Sequence, residues 1–382
     1  MLIPNKLIRD ATRLIFVCLV TLLGTTVCSS SSIPAGDRLD ITDDYGLIYY
    51  SQRNNLHTSS MGGFGGIYFA NLSTGEEKLL TNNSVVSQFE TFSWSPITRK
   101  LVYTERGEDI VDESSLELFL LNLDGQKMRL TNNQVHDSNG RWAPNGQRIA
   151  FWSTRRIDES FLYLMNPDGS DVMPVFDHSY KQIVAPEFTW SPDSNRLAIA
   201  TVNSTTLMAE NIQIINLNSL ETLPLLPNNR VRTNFQWSNN SNKLVYLSDP
   251  KENDIFEIYT TMYVYDVETR KEDLLAEFKA IGTPVWSPTE DVIAFSAAQA
   301  SSEIDDLNIY LINGDGTGLT QLTENGAYRV ASWSPDGQML AVEAIGEQFT
   351  DHEIYIFDID SKDLKQVTDN DYFDAFPIWV DL

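Results

Sequence analysis

The chain has 382 residues, and its 27 lysines and arginines stand against 53 aspartates and glutamates, a formal charge of −26 at pH 7. A surface this acidic repels nucleic acid and anionic lipid, which argues against both as partners. The only cysteines, Cys18 and Cys28, lie near the start, so the remainder holds neither a disulfide nor a thiolate metal site.

The first element in chain order is an export signal. Lys6, Arg9 and Arg13 precede an apolar run at residues 14–27, which is short for a membrane span. Cys28 ends this run, and Ser29 to Ser32 follow. The arrangement resembles a bacterial lipoprotein, in which Cys28 is acylated and the serines form a tether. Thr25 and Val27 depart from the residues that family prefers ahead of its cysteine, and cleavage nearby with release is the alternative. The organisation predicted is a signal at 1–28, a Ser-rich tether at 29–39 and one folded unit at 40–382. The protein is expected outside the cytoplasm, lipid-anchored in the cell envelope or secreted, with the membrane reached only through this anchor.

Within the folded unit one hairpin recurs. Trp333 ends a strand, Ser334-Pro335-Asp336-Gly337 makes a turn, and an alternating strand leaves it. Equivalent tryptophans stand at Trp94, Trp142, Trp190, Trp237, Trp286, Trp333 and Trp379, spaced 46 to 49 residues apart. Second strands follow the turns at residues 101–104, 149–153, 197–201, 244–248, 292–296 and 340–343. Third strands lie at 116–122, 161–166, 212–216, 262–266, 309–313 and 354–358, and short fourth strands end near Leu130-Thr131, Leu322-Thr323 and Val367-Thr368. Four strands in a unit of this length make a propeller blade. The start supplies strands two to four of a unit without its first, and residues 376–380 supply a first strand with nothing after it. The two fragments complete one blade, so the prediction is an all-β, seven-bladed propeller of four-stranded antiparallel blades, closed between the chain's ends.

The Trp-Ser-Pro-Asp-Gly turn, the Ile-Tyr-x-x-Asn-x-Asp-Gly hairpin and the Leu-Thr-Asn-Asn ending at residues 130–133 resemble the WD-like propeller repeats of the TolB type, over roughly residues 40 to 382. That family carries an α/β domain ahead of a six-bladed ring, which this chain lacks. The resemblance implies the fold and leaves the role open, because this repeat serves many functions.

Two features point to binding. The loops between second and third strands share one face and carry Glu105, Glu108, Asp109, Asp112, Glu113, Asp158, Glu159, Asp249, Glu252, Asp254, Glu303, Asp305, Asp306, Glu347, Asp351 and Glu353. Such a face suits a cationic partner or calcium, the only cofactor the sequence suggests, or is a solvated rim. The first such loop, residues 52–66, is glycine-rich, nearly uncharged and read as mobile. Four or five residues ahead of the tryptophans, Glu90, Asp137, Arg232, Arg329 and Asp374 are placed by the repeat at the mouth of the central channel. There they bind a protein or small ligand, or pair with one another and with backbone amides.

The sequence contains no Gly-x-Ser-x-Gly elbow, His-Glu-x-x-His, phosphate loop or dinucleotide fingerprint. Oligogalacturonate lyases, which share a seven-bladed ring, hold a metal with histidines, and His136 beside Asp137 is the only histidine pair near the mouth. The first reading is therefore a monomeric interaction or ligand-binding scaffold. The alternative is a polysaccharide-active lyase or hydrolase working at the mouth.

Overall fold

The structure is a computed structural model that describes residues 45–53, 63–86, 92–106, 116–156, 159–176, 183–202, 209–224, 232–248, 260–299, 306–324, 326–345 and 352–382. The signal, the tether, Cys28, Glu90, His57, His178 and most of the acidic loop residues lie outside these.

The Ser-Pro-Asp-Gly turn explains why each hairpin forms where it does. Ser334 Oγ accepts the Met339 N–H at 2.9 Å and donates to Asp336 Oδ1 at 2.5 Å, while Asp336 accepts the Gln338 N–H at 3.0 Å. The side chains thus satisfy turn amides that the strands leave free. Ser191 with Asp193, and Ser238 with Asn240, repeat the arrangement. Gly337, at φ 74°, is required twice over: it takes the left-handed conformation, and a Cβ there would stand 2.3 Å from Thr289 Oγ1 in the neighbouring turn.

The strands assemble into seven four-stranded antiparallel blades. Blade 1 comprises β1 (Tyr45–Ser51), β2 (Gly63–Asn71) and β3 (Glu77–Val86), and blade 2 comprises β4 (Ser93–Ser95), β5 (Lys100–Arg106), β6 (Leu116–Leu121) and β7 (Lys127–Arg129). Blade 3 comprises β8 (Asp137–Trp142), β9 (Ile149–Arg156), β10 (Glu159–Met165) and β11 (Met173–Pro174); blade 4 follows with β12 (Ile183–Trp190), β13 (Arg196–Val202), β14 (Ala209–Asn216) and β15 (Thr222–Pro224). Blade 5 holds β16 (Arg232–Trp237), β17 (Lys243–Ser248), β18 (Thr260–Asp266) and β19 (Lys271–Phe278). In blade 6 the inner strand is split into β20 (Ala280–Ile281) and β21 (Val285–Trp286), followed by β22 (Val292–Ala298), β23 (Asn308–Asn313) and β24 (Thr320–Gln321). Blade 7 holds β25 (Tyr328–Trp333), β26 (Met339–Ile345), β27 (His352–Asp358) and β28 (Leu364–Gln366), and β29 (Asp374–Asp381) ends the chain. As the sequence predicts, β29 pairs with β1, with Leu47 opposite Trp379 and Tyr45 opposite Asp381, and supplies the inner strand of blade 1. One reading changes: Gly63 to Gly66 belong to β2 rather than to a loop, paired with β3 as far as Gly63 opposite Val86.

Both faces of every blade are buried against neighbours, and apolar clusters fill the junctions one by one around the ring. This is why the strands read as nearly continuous Leu, Ile, Val and Tyr. Each repeat tryptophan packs against the blade before it. Trp142, for example, lies among Val102, Leu118 and Leu120. Four of the indoles also donate backward, Trp190 to Arg141 O at 3.1 Å, Trp237 to Thr189 O at 3.4 Å, Trp333 to Val285 O at 3.0 Å and Trp379 to Ser332 O at 3.4 Å.

The inner strands bulge above the tryptophans. Asn139, Asn234 and Phe376 have φ of 51°, 51° and 58°, and the ladder register shifts beside them. The exposed amides are captured by the preceding blade: Asn139 N–H donates to Thr104 Oγ1 at 3.3 Å, Val330 N–H to Ser296 Oγ at 2.8 Å and Phe376 N–H to Glu343 Oε1 at 2.7 Å.

Replacing the indole donor while keeping an aromatic filler separates hydrogen bond from packing. Trp190→Phe is expected to cost about 1 kcal/mol and Trp190→Ala about 3–5 kcal/mol, read from denaturant midpoints at unchanged slope. No cost for Trp190→Phe would show that the indole bond contributes nothing, and equal costs for the two variants would show that the packing contributes nothing.

Candidate functional site

At the channel mouth the crossovers between blades meet the tops of the inner strands. The Thr-x-Asn endings of the crossovers that leave blades 2 and 7 do a defined job there. In blade 2, Thr131 Oγ1 accepts the Leu118 N–H at 3.0 Å and donates to Glu117, whose Oε1 accepts the Asn133 N–H at 2.9 Å. In blade 7, Thr368 Oγ1 accepts the Ile354 N–H at 2.8 Å, and Glu353 Oε1 accepts the Asn370 N–H at 2.7 Å. These bonds aim the asparagine side chains at the next inner strand.

Asp137 and Asp374 receive them. Asp137 Oδ2 accepts from Asn133 Nδ2 at 2.7 Å and from Arg155 at 2.8 Å; Asp374 Oδ2 accepts from Asn370 Nδ2 at 2.8 Å and from Arg53 at 3.1 Å. The two arginines are repeat equivalents and lie over aromatic faces, Arg155 at 5.2 Å from the Phe151 centroid and Arg53 at 4.9 Å from that of Tyr68. Both aspartates are 0% exposed, and Oδ1 of each has no hydrogen-bond partner. The structure therefore brings Asp137 and Asp374 into separate buried Asn–Asp–Arg clusters, in blades 3 and 1. Arg232 begins β16 opposite Ser248, with its side chain outside the described residues. Arg329, four residues ahead of Trp333 where Asp137 and Asp374 stand five ahead of theirs, lies opposite Glu343 and pairs with Glu343 Oε2 at 3.7 Å while 45% exposed.

A further polar cluster lies where blade 7 meets blade 1. Glu343 occupies a place that Thr104 and Ser296 fill in blades 2 and 6, and holds the bulge amide of Phe376. A bulky residue at positive φ is costly, so this bond restrains a strained point in the closing strand. His352, 4% exposed, lies against the Phe373 ring at 4.4 Å and a tilt of 37°, with Nδ1 at 3.9 Å from Glu343 Oε2 and neither ring nitrogen hydrogen-bonded. Burial, with a smaller contribution from Arg329, pulls its imidazole down to about 4; burial pushes the Glu343 and Glu353 carboxyls up. Arg53 and Glu77 pair across a cleft of about 350 Å³ that Lys365, Thr368, Asp369 and Asn370 also line. Above the cluster, Tyr372 is 46% exposed beside Phe373.

The sequence marked Asp137, Arg329 and Asp374. It missed Arg53, Arg155, Asn133, Asn370, Glu343 and His352. The repeated Thr-x-Asn ahead of the inner strands was the available signal for the asparagines, and an Arg two residues past Ser51 and Ser153 for the arginines. Among the described residues, no group of three His, Cys, Asp or Glu side chains is placed to hold a metal ion. Of the acidic face, Glu105 is described as buried, accepting from Tyr103 OH at 2.6 Å and from Lys127 at 2.8 Å.

No family model matches the chain, and no curated protein matches it. Solved propellers do. The β-propeller domain of the Trilobed protease from Pyrococcus furiosus has a TM-score of 0.52 at 14% identity, over 73% of this chain and 84% of that one. TolB from Acinetobacter baumannii scores 0.50 at 14% identity, over 92% and 89%, and an oligogalacturonate lyase in complex with manganese scores 0.50 at 17%, over 70% and 72%. The fold is that of a TolB-like propeller, and at these identities the likeness extends to fold alone.

Two outcomes test the site's physics. His352 is neutral in the fold and takes up its proton in the unfolded chain near pH 6.5, so its contribution is full above pH 6.5 and lost as pH falls toward 4. The loss should reach roughly 3 kcal/mol, and His352→Phe should flatten that part of the pH–stability curve. Asp137→Ala, which strands Arg155 and Asn133, should cost about 3–5 kcal/mol by chemical denaturation. A cost near zero would mean that the cluster is not structural.

Proposed function

We propose that this protein is an exported propeller that works by binding, presenting the rim of its channel mouth to a protein partner. The observation that supports this reading is the division of labour at the blade 7–blade 1 junction. The carboxylate of Asp374 is buried and engaged by Arg53 and Asn370, whereas Arg329 and Tyr372 project from the same junction into solvent. A rigid base under an exposed aromatic and an exposed arginine has the make-up of a binding hot spot. An enzyme would instead need an acid, base or nucleophile free to act, and the described mouth carboxylates are tied into the frame. The acidic composition favours a basic surface on the partner, by steering rather than by contact energy.

The test compares immobilised wild-type protein with an Arg329→Ala/Tyr372→Ala variant, using extracts of the source cell envelope and assaying oligogalacturonate cleavage in parallel. A partner retained by the wild type and lost by the variant, at an unchanged melting temperature, is expected. Turnover that survives in the variant and disappears in Asp374→Asn would replace this reading with the polysaccharide-active one.

A further inference from the structure

The turns that join third to fourth strands help to close the seams between blades. In blade 3 the turn after β10 packs on the crossover that leaves blade 2, and Gly169, at φ 84°, sits so close that a Cβ there would stand 2.6 Å from Leu130 O. In blade 6 the turn after β23 lies against β19, with a Cβ on Gly316 placed 3.6 Å from Leu275 Cδ2. The turn of blade 2 is tied to blade 1 by Lys78 Nζ, which donates to Leu123 O at 2.8 Å. The seam between blades 7 and 1 differs. The blade 1 turn closes from Asn71 N–H to Glu76 O at 2.8 Å, one residue longer than the closure of Asn166 N–H on Ser170 O at 2.9 Å in blade 3. A Cβ on its glycine, Gly75, at φ 73°, would meet nothing within 4 Å, although Val367, the repeat equivalent of Leu130, lines the same cleft. The opening is the cleft of about 350 Å³ already described, within the size range of small-ligand sites.

The walls of this cleft come from both blades. Ala70, Leu72 and Val367 supply apolar surface, while Asn71 from blade 1 and Gln366 and Asp369 from blade 7 supply polar groups with bonding capacity left over. Asn71 Oδ1 accepts from the Ser73 and Thr74 amides at 3.0 and 2.9 Å and from the Ser73 hydroxyl at 2.8 Å. Its Nδ2 hydrogens are left without an acceptor among the described residues. The exposed side chains of Gln366 and Asp369 likewise make no hydrogen bond among the described residues. The charges of the lining cancel, Arg53 and Lys365 against Glu77 and Asp369, and Arg53 and Glu77 are already paired with each other. Nothing in the cleft selects a charged ligand, and the chain's overall −26 opposes an anion.

We propose that the cleft at the ring-closing seam binds one unit of a neutral saccharide. Hydroxyl groups both donate and accept, which is what this lining asks of a ligand. The Asp369 carboxylate and Gln366 Oε1 would accept from sugar hydroxyls, Asn71 Nδ2 and Gln366 Nε2 would donate to them, and the C–H face of the ring would lie on Ala70, Leu72 and Val367. A carboxylate with several lone pairs open can take two adjacent hydroxyls at once. The site binds without cleaving. Neither Arg329 nor Tyr372 lines it, and it does not rest on the partner role proposed for the rim.

The probes are glucose, galactose, mannose and N-acetylglucosamine, with galacturonate and glucosamine as charged counterparts, titrated into the folded protein at constant ionic strength and read by saturation-transfer NMR. At least one neutral sugar should bind, and more tightly than its charged counterpart. Gln366→Ala and Asp369→Ala should each weaken it about three- to tenfold at an unchanged melting temperature, since both side chains are exposed. Asn71→Asp, which keeps the acceptor of the turn and removes the Nδ2 donors, should weaken it to a similar degree. Gln366→Trp, which fills the cleft, should abolish binding, and Arg329→Ala/Tyr372→Ala should leave it as in the wild type. The proposal is overturned if none of the four neutral sugars binds, if galacturonate or glucosamine binds better than its neutral counterpart, or if the Gln366→Ala/Asp369→Ala variant binds like the wild type. Loss of binding in the rim variant would overturn it too, by placing the sugar at the mouth. Should Asp369→Ala lower the melting temperature, Gln366→Trp decides.

Discussion

The ring depends on the seating of one tryptophan per blade against the blade before it. The indole fills the inner end of each junction and, in four of the blades, reaches back to a main-chain carbonyl ahead of the preceding tryptophan. That contact links residues 47 to 49 apart in sequence, and the repeat length is set by it. A blade shifted by one residue would turn its tryptophan and its Leu-Ala-Ile pattern to the wrong face, so register within the blade and spacing between blades are the same constraint. The second-strand side chains that capture the bulge amides, Thr104, Ser296 and Glu343, add a polar check on that register higher in the same junctions.

Much of this was legible in the residues. Turn chemistry at Ser334 to Gly337, the tryptophan spacing and the unmatched strands at the two ends lead to seven blades and to the closure of β29 on β1, because each is a local signal repeated many times. What was not legible depended on exceptions to the repeat. Gly63 to Gly66 read as loop because glycine carries no pattern, yet long pairing with β3 extends the strand through them. Arg329 stands four residues ahead of its tryptophan where Asp137 and Asp374 stand five ahead of theirs, so it falls opposite Glu343 and not at the aspartates' place in the ladder. Arg155 and Arg53 follow their strands at sites that look like loop, and only the fold shows that they turn back over aromatic rings toward an aspartate.

The polar groups of the mouth illustrate how a rigid fold manages charge. Asp137 and Asp374 sit in clusters built from three separate segments, so each ties a crossover, an inner strand and the end of a second strand together. Breaking any member leaves the rest desolvated and unpaired, which makes such clusters costly to lose even where their net contribution is modest. Charge held this way shapes the rim from within the frame. The groups free to meet another molecule are those that stand outside the clusters.

The pairing of β29 with β1 also fixes how the ring would carry load. β1 is hydrogen-bonded along both edges, to β2 on one side and β29 on the other, and its first residue, Tyr45, lies at the turn face, opposite the mouth. Tension on the chain ahead of Tyr45, drawn away from the turn face, therefore runs along the strand and shears two ladders at once instead of peeling one bond after another. The same geometry sets an orientation: a ring held by that end turns its turn face toward the point of attachment and its channel mouth away from it.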